Sequence, residues 1–427
     1  MSNCDYGIIG GGIAGLYLAR ELSKKYPQAR ISLFEKYKVL GGRVKTNRYT
    51  VKGKSIQYES GAGRVFEDHT LIRTLLKEYD CTEIPISDVI EWKESYESGF
   101  EPNAFETSLP TWLPELKRLP ADELANHTLH TLLVRIFGPL EARAMTIQFP
   151  YWAEIFTLRA DLAIESFERE MGTQKGYSVV KEGYDKMIRG LIRDCEKKGV
   201  KISTNFDVKE IFPSAHGFDL HIATGPLKQK ENRKVIICEC KNVVMATHPI
   251  ALQKFSLLKD WDTLKKVQMA PLCRVYSVFP VDKSGHTWFS KLPKFVTPTP
   301  IRYFIPINSS NGLVMISYTD GKDTEKIREI WEAKGEETLG KYLTEECRKQ
   351  FSALTIPDPE FTKVEFWKEG ASYWVPGDYD VKEESRKSLQ PYPKIFPNLY
   401  VCGEGFSLKQ AWMEGAVESV DKLLKQL

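Results

Sequence analysis

Residues 6–35 constrain this chain's fold more than any other segment. Tyr6-Gly7-Ile8-Ile9 is a short apolar run, and Gly10-Gly11-Gly12-Ile13-Ala14-Gly15 follows at once. Leu16, Leu18, Ala19 and Leu22 then recur at helical spacing, and a second apolar run spans Ala29 to Glu35. The pattern predicts a strand, a helix over Ile13–Lys25 and a second strand, joined by a glycine-rich turn. The expected fold class is α/β with mixed α+β character, built on a Rossmann-type domain.

Each residue of the turn has a physical task. Gly10 permits the tight bend. Gly12 lets the backbone approach a pyrophosphate, which then sits on the helix N-terminus beside Ala14. Gly15 lets helix pack on strand. Glu35 ends the second strand, where a carboxylate accepts hydrogen bonds from ribose hydroxyls and disfavours a 2′-phosphate. Lys36 follows it. The alternative is a glycine turn that holds no nucleotide.

Two further segments choose between dinucleotides. Leu40-Gly41-Gly42-Arg43 offers a second close backbone approach and a cation. That suits FAD, an extended molecule that needs phosphate contacts from two loops; an ordinary surface turn is the other reading. Tyr400 to Glu404 reads as a strand ended by Gly403-Glu404, with a helix starting near Gln410. Glu404 could bind ribityl hydroxyls, and the helix N-terminus at Trp412, Met413 and Ala416 could stabilise negative charge on a reduced ring. A plain α/β crossover is the alternative there.

The rest of the chain alternates between element types. After a loop-rich stretch to Gly63, a helix is expected over Thr70–Tyr79, mixed strand and loop over 81–120, and mostly helix over 121–170. A helix over Tyr184–Lys198 leads into four short strand-like runs, Asp207–Phe212, Phe218–Ala223, Lys234–Cys240 and Asn242–Ala246, in meander order. Longer strands follow over 265–320, helix over 323–352 and strand over 360–375. No repeat and no flexible linker divides these parts.

Composition closes off several classes. Sixty basic and 57 acidic residues leave a net charge of +3, which gives no case for nucleic acid. No run of about 18 apolar residues exists, so no membrane span is expected, and no signal peptide opens the chain. Eight cysteines lie scattered without CxxC spacing, so no metal site is expected. Cys238 and Cys240 read as one face of a strand. Scattered cysteines suit a reducing, cytoplasmic setting. Oligomeric state stays open, a homodimer being one option.

With these pieces in place, the chain resembles the FAD-dependent amine oxidase family, which includes monoamine, polyamine and L-amino-acid oxidases. The resemblance rests on GGGIAG, Glu35, LGGR, YESGAG (58–63), the run from GYDKMIRGL to VKISTNFDVKEI (183–211), NVVMATHP (242–249) and CGE to WMEGAVES (402–419). It implies an interleaved FAD domain from 1–80, 178–250 and 390–427. Residues 81–177 and 251–389 would form a substrate domain of mixed sheet and helices. It also implies that Gly61, Ala62, Gly63 and Arg64 border the cofactor, and that Val208 meets the adenine side through its backbone. A core valine is the equally good reading of Val208.

The resemblance implies chemistry as well: oxidation of the C–N bond of an amine or L-amino acid, by hydride transfer to the flavin. Imine hydrolysis and reoxidation by O2 to peroxide would follow. Tyr373 and Trp412 would flank the substrate amine with aromatic faces. Trp367 and Trp374 are either part of that wall or sheet core. Ser372 stands where monoamine oxidases attach flavin through a cysteine, so FAD should be non-covalent. Arg274 stands where many members have a lysine; it either binds an anionic substrate or forms a structural ion pair. Arg64 aligns with the arginine that L-amino-acid oxidases use for the α-carboxylate, a role its bidentate fork suits; bonding to backbone or to FAD phosphate is the alternative. His69 reads as a surface-lining residue. A flavin desaturase or dehydrogenase acting on a C–C or C–O bond, and a non-catalytic FAD-binding flavoprotein, remain as alternatives.

Overall fold

The computed structural model describes residues 3–87, 89–93, 104–171, 176–228 and 233–427. The opening unit forms as its pattern dictates: strand Cys4–Ile9, helix Ile13–Lys25, strand Ile31–Glu35. The second strand is buried throughout, as a strand covered on both faces must be. Parallel neighbours extend it. The order is Lys201–Thr204, Ile31–Glu35, Cys4–Ile9, the C-terminal half of Lys234–Met245, then Leu399–Val401. Helices Ile13–Lys25, Asp185–Lys197 and Met413–Leu424 share one core, with Leu16, Leu22, Leu191, Val417 and Val420 fully buried.

The meander is present with one change. Phe206–Ser214 and Gly217–Thr224 pair antiparallel, and the second pairs with the N-terminal half of Lys234–Met245. The two runs expected at 234–240 and 242–246 are thus one strand. It pairs antiparallel in its first half and parallel in its second.

A second sheet of six strands stands apart. Its order is Phe361–Trp374, Val267–Val278, Leu313–Asp320, Tyr303–Asn308, Lys294–Val296, Ile90–Trp92. All neighbours are antiparallel except the last pair. The helix Thr324–Gln350, kinked at Gly335, covers one face through Leu339 and Leu343. A group of helices between Ala104 and Met171 has its own core, which Ala270, Ala371 and Tyr373 of the sheet complete.

Three expectations are corrected. The stretch before Gly63 contains a hairpin, Thr46–Val51 with Lys54–Glu59, closed by Lys52 (φ 47°) and Gly53 (φ 80°). Two successive positive-φ residues match the twist of a tight hairpin. Asn47, a polar residue buried on the inner face where it donates to Glu365, weakened the alternation. Residues 104–117 form a helix where mixed strand and loop were expected; Pro110 and Pro114 lie inside it and carried the contrary signal. Strands Glu83–Pro85 and Ile90–Trp92 lie in that stretch as expected, and its residues 88 and 94–103 lie outside the described residues. The last helix begins at Met413, because Ala411 has φ 65° and Trp412 is extended.

Among the described residues no helix is long and apolar enough to cross a membrane. Cys238 and Cys240 do share a buried face. Cys4 and Cys240, facing partners on adjacent parallel strands, are joined by a disulfide that spacing gave no reason to expect.

Candidate active site

The glycine turn is held on every side but one. The Gly10 amide donates to Phe34 O at 2.9 Å, and a Cβ at Gly15 would collide with the Gly10 carbonyl. At Gly12 the nearest atom to a Cβ would be Gly42 Cα, 4.0 Å away. The helix that starts there has no side-chain cap and no acidic residue in its first turn. Its first amides are left to an anion. Glu35 is buried beside the turn. Its Oε2 accepts from Gly11 N at 2.7 Å and its Oε1 from Tyr37 N at 2.8 Å. Burial pushes its pKa up, and those amides pull it back. Lys36 lies over the Tyr37 ring at the surface side.

The second glycine loop and the far end of the chain converge. Arg43 Nη2 pairs with Glu404 Oε1 at 2.7 Å, and Nη1 donates to Gly370 O at 2.8 Å. Ser372 Oγ also donates to Glu404 Oε1 at 2.9 Å, and Ala411 N donates to Oε2 at 2.9 Å. Glu404 is buried and Arg43 half-buried, so the pair is shielded on one side. His248 stands near it. Burial, then the Arg43 charge, pushes its pKa down to about 4, and its Nδ1 accepts from Ala251 N. Gly403, with φ 129°, would bring a Cβ within 4 Å of nothing.

The Glu59–Arg64 loop is pinned through its carbonyls. Tyr276 Oη donates to Glu59 O at 2.6 Å, Arg274 Nη1 to the same oxygen at 3.2 Å, and Trp367 Nε1 to Ser60 O at 2.6 Å. Ala62 N donates to Arg43 O at 2.9 Å, which ties this loop to the second glycine loop. A Cβ at Gly63 would meet Arg274 Nη1 at 3.1 Å. The Arg274 guanidinium lies 5.2 Å from the Tyr318 ring centre, and its Nε is sealed from solvent without a hydrogen-bond partner. Among the described residues no ion pair of Arg274 is formed.

Arg64 points among aromatic rings. Its guanidinium lies 4.3 Å from the Tyr177 ring centre and 5.4 Å from that of Trp412, and Nη2 donates to Tyr151 Oη at 3.2 Å. Trp412 touches His69 and Tyr177 rather than Tyr373. His69 is buried, contrary to its surface-lining reading. Its Nδ1 accepts from Phe66 N at the start of helix Thr70–Glu78. Two amides of that helix, Leu71 N and Ile72 N, donate to Glu414, which fixes the start of the last helix beside it. Met413 and Ala416 are buried one turn along.

Tyr373 is buried between sheet and helices, and burial holds its phenol well above the ordinary pKa, so it stays neutral. Trp374 is core, its Nε1 donating to Ser407 O. Trp367 is half-buried and braces the loop. Val208 is buried and pairs with Ile222 at a break in strand register. The rings of Tyr151, Tyr177 and Tyr318 were not singled out in the sequence. No motif surrounds them, and only the closed fold brings them to Arg64 and Arg274.

These residues fit a flavin dinucleotide. The uncapped helix start, the open ground at Gly12 and Gly403, and the unpartnered Arg274 Nε are all features a bound group would engage. A family model described as flavin containing amine oxidoreductase matches residues 13–419. The chain belongs to that family. It is therefore an FAD-dependent, amine-oxidase-like oxidoreductase, and its family chemistry is amine oxidation. An uncharacterized protein, R188, of Acanthamoeba polyphaga mimivirus is 22% identical over 495 residues, covering 99% of this chain and 94% of that protein. Putrescine oxidase bound to putrescine superposes with a TM-score of 0.73 at 14% identity, over 99% of this chain and 98% of that one. A double mutant of putrescine oxidase, redesigned in cofactor binding, gives 0.72 at 14% identity, over 100% and 99%. At that identity the two structures speak for the fold.

Proposed function

We propose that this protein oxidises the C–N bond of an amine or L-amino acid with non-covalently held FAD, and passes the electrons to O2. The observation that carries the reading is the meeting of Arg43, Gly370, Ser372 and Glu404, which joins both ends of the chain beside the glycine turn. When bound, FAD supplies the acceptor for the hydride that leaves the carbon beside nitrogen. The chain's residues bind and position. Gly10, Gly12, Ala14, Gly15 and Gly42 bring backbone to the phosphates, Glu35 takes the ribose, and Arg43 and Glu404 hold the middle of the cofactor. In this reading 1–80, 178–250 and 390–427 carry the cofactor, and 81–177 and 251–389 shape the substrate side.

On that side Arg64 anchors a substrate carboxylate, where one is present, through its fork of donors. Trp412 and Tyr373 supply aromatic walls that exclude water. Arg274 keeps a fixed positive charge beside the Gly63 loop in place of a lysine, and it cannot shed that charge. Ser372 offers a hydroxyl where a covalent link would need a thiolate. The test is anaerobic: amino acids, polyamines and aromatic amines are mixed with the yellow holoprotein, and bleaching of the flavin band is followed. Bleaching by at least one class, with peroxide on admission of air, is expected. A band that no amine bleaches sinks the proposal.

A further inference from the structure

The segment after strand Lys234–Met245 runs between the two loops placed at the cofactor. Ala246 N donates to Ile9 O at 2.8 Å, and a Cβ at Gly10 would fall 2.4 Å from Ala246 O. On the other flank, Cys402 N donates to Met245 O at 3.0 Å, and a Cβ at Gly405 would fall 2.7 Å from Pro249 Cδ. His248 thus lies just beyond the carboxyl end of a strand that runs parallel to both neighbours there, with the glycine turn on one side and the Glu404 loop on the other. Sheets of this kind bind ligands outside the carboxyl ends of their strands. The charges of Arg43, Lys254, Glu404 and Lys36 act on its ring, and all but Lys254 are residues placed around the cofactor.

The two nitrogens of this imidazole have different tasks. Nδ1 accepts from Ala251 N at 3.3 Å and so caps the short helix Pro249–Leu252. Burial first, and then the Arg43 charge, keep the ring neutral, with its pKa down at about 4. In a neutral ring whose Nδ1 accepts, the proton sits on Nε2. Among the described residues nothing accepts from that Nε2, and the residue is only half-buried. We infer that His248 is a further cofactor-binding residue, whose Nε2–H donates to an acceptor oxygen in the middle of the bound dinucleotide, between the glycine turn and Glu404. The inference rests on the reading above, in which FAD spans those two loops. The oxygens such a cofactor offers there are those of its pyrophosphate and of its ribityl chain, and a fixed donor suits either.

Two variants separate the two nitrogens. His248→Asn places an amide oxygen near the position of Nδ1 and keeps the helix cap, but offers nothing at Nε2. His248→Gln reaches the position of Nε2 with an N–H donor. Holoprotein is diluted in steps, and the flavin released is read by its fluorescence, which gives the Kd for FAD. His248→Asn should raise that Kd about tenfold, and His248→Gln should return it to within about threefold of wild type. Melting of the flavin-free chain should be the same for wild type and His248→Asn. ADP added as a competitor locates the acceptor. An equal loss of ADP affinity in His248→Asn marks a pyrophosphate oxygen, and an unchanged ADP affinity marks a ribityl oxygen. A wild-type Kd for FAD in His248→Asn, or a His248→Gln variant no better than His248→Asn, overturns this inference alone. A wild-type chain that holds no FAD overturns both this inference and the reading beneath it.

Discussion

Arg43 and Glu404 meet at 2.7 Å although one follows the second glycine loop and the other ends the last strand. The pair closes the sheet's two ends around the glycine turn, and Ser372 and Gly370 extend it to the second sheet. Removing one partner leaves the other charge partly desolvated, which costs more than the pair itself contributes. Glu404→Gln should therefore lower stability by roughly 2 kcal/mol, discounted for the solvent that reaches Arg43. It should also purify with less flavin per chain. Thermal melting and the ratio of flavin to protein absorbance check this; a fully loaded, equally stable variant would show the pair to be incidental.

Ser372 donates to Glu404 and carries no thiol, so nothing at this position can bond the flavin ring. Acid precipitation should release all of the yellow colour to the supernatant. Colour that stays with the pellet would mean a covalent link elsewhere. Ser372→Ala should leave release complete and cost about 1 kcal/mol for the lost hydrogen bond.

Parts of this site were open to reading from local pattern, and parts were not. The helix Ile13–Lys25 has the bounds its spacing predicts, because its periodicity and its glycine turn are both local. Arg43 and Glu404 were each singled out by motif. Their contact was not, since it exists only once strands from opposite ends of the chain lie in one sheet. The hairpin at 46–59 escaped because a buried inward position holds the polar Asn47, and the helix at 104–117 because two prolines argued against it. Tyr151 and Tyr177 had no local signal. Their contact with Arg64 exists only in the closed fold.

Asp320 links that docking to pH. Its carboxylate accepts from Trp152 N at 2.6 Å and Ala153 N at 2.9 Å, next to Tyr151. Burial pushes its pKa from 3.8 up to about 7, against the pull of those amides. The folded chain thus holds this proton more tightly than the unfolded chain. Its contribution is most favourable below 3.8, declines as pH rises from there to about 7, and is flat beyond. Burial moves Glu59 the same way, to about 7, so the two add. Melting temperature should fall between roughly pH 4 and roughly pH 7, and Asp320→Asn should flatten that fall without abolishing it. The amide side chain of that variant offers one acceptor oxygen where the carboxyl offers two, so the variant should start about 1 kcal/mol lower at the acid end. An unchanged slope would mean that Asp320 is ionised throughout.

Cys4 and Cys240 join the first strand to the strand that carries Met245, directly behind the glycine turn. Their link closes a sequence separation of 236 residues, and a crosslink over so long a loop restricts the unfolded chain strongly. A reductant should lower the melting temperature of wild type, corresponding to roughly 2–4 kcal/mol. Cys4→Ser should melt at the reduced value and ignore the reductant. Both cysteines are nearly inaccessible, so reduction of the folded protein should be slow unless denaturant opens the strand. A cytoplasmic setting would keep the two as thiols, and the stable state in the cell would then be the reduced one. Identical melting of wild type and Cys4→Ser under non-reducing conditions would show that the bond does not form.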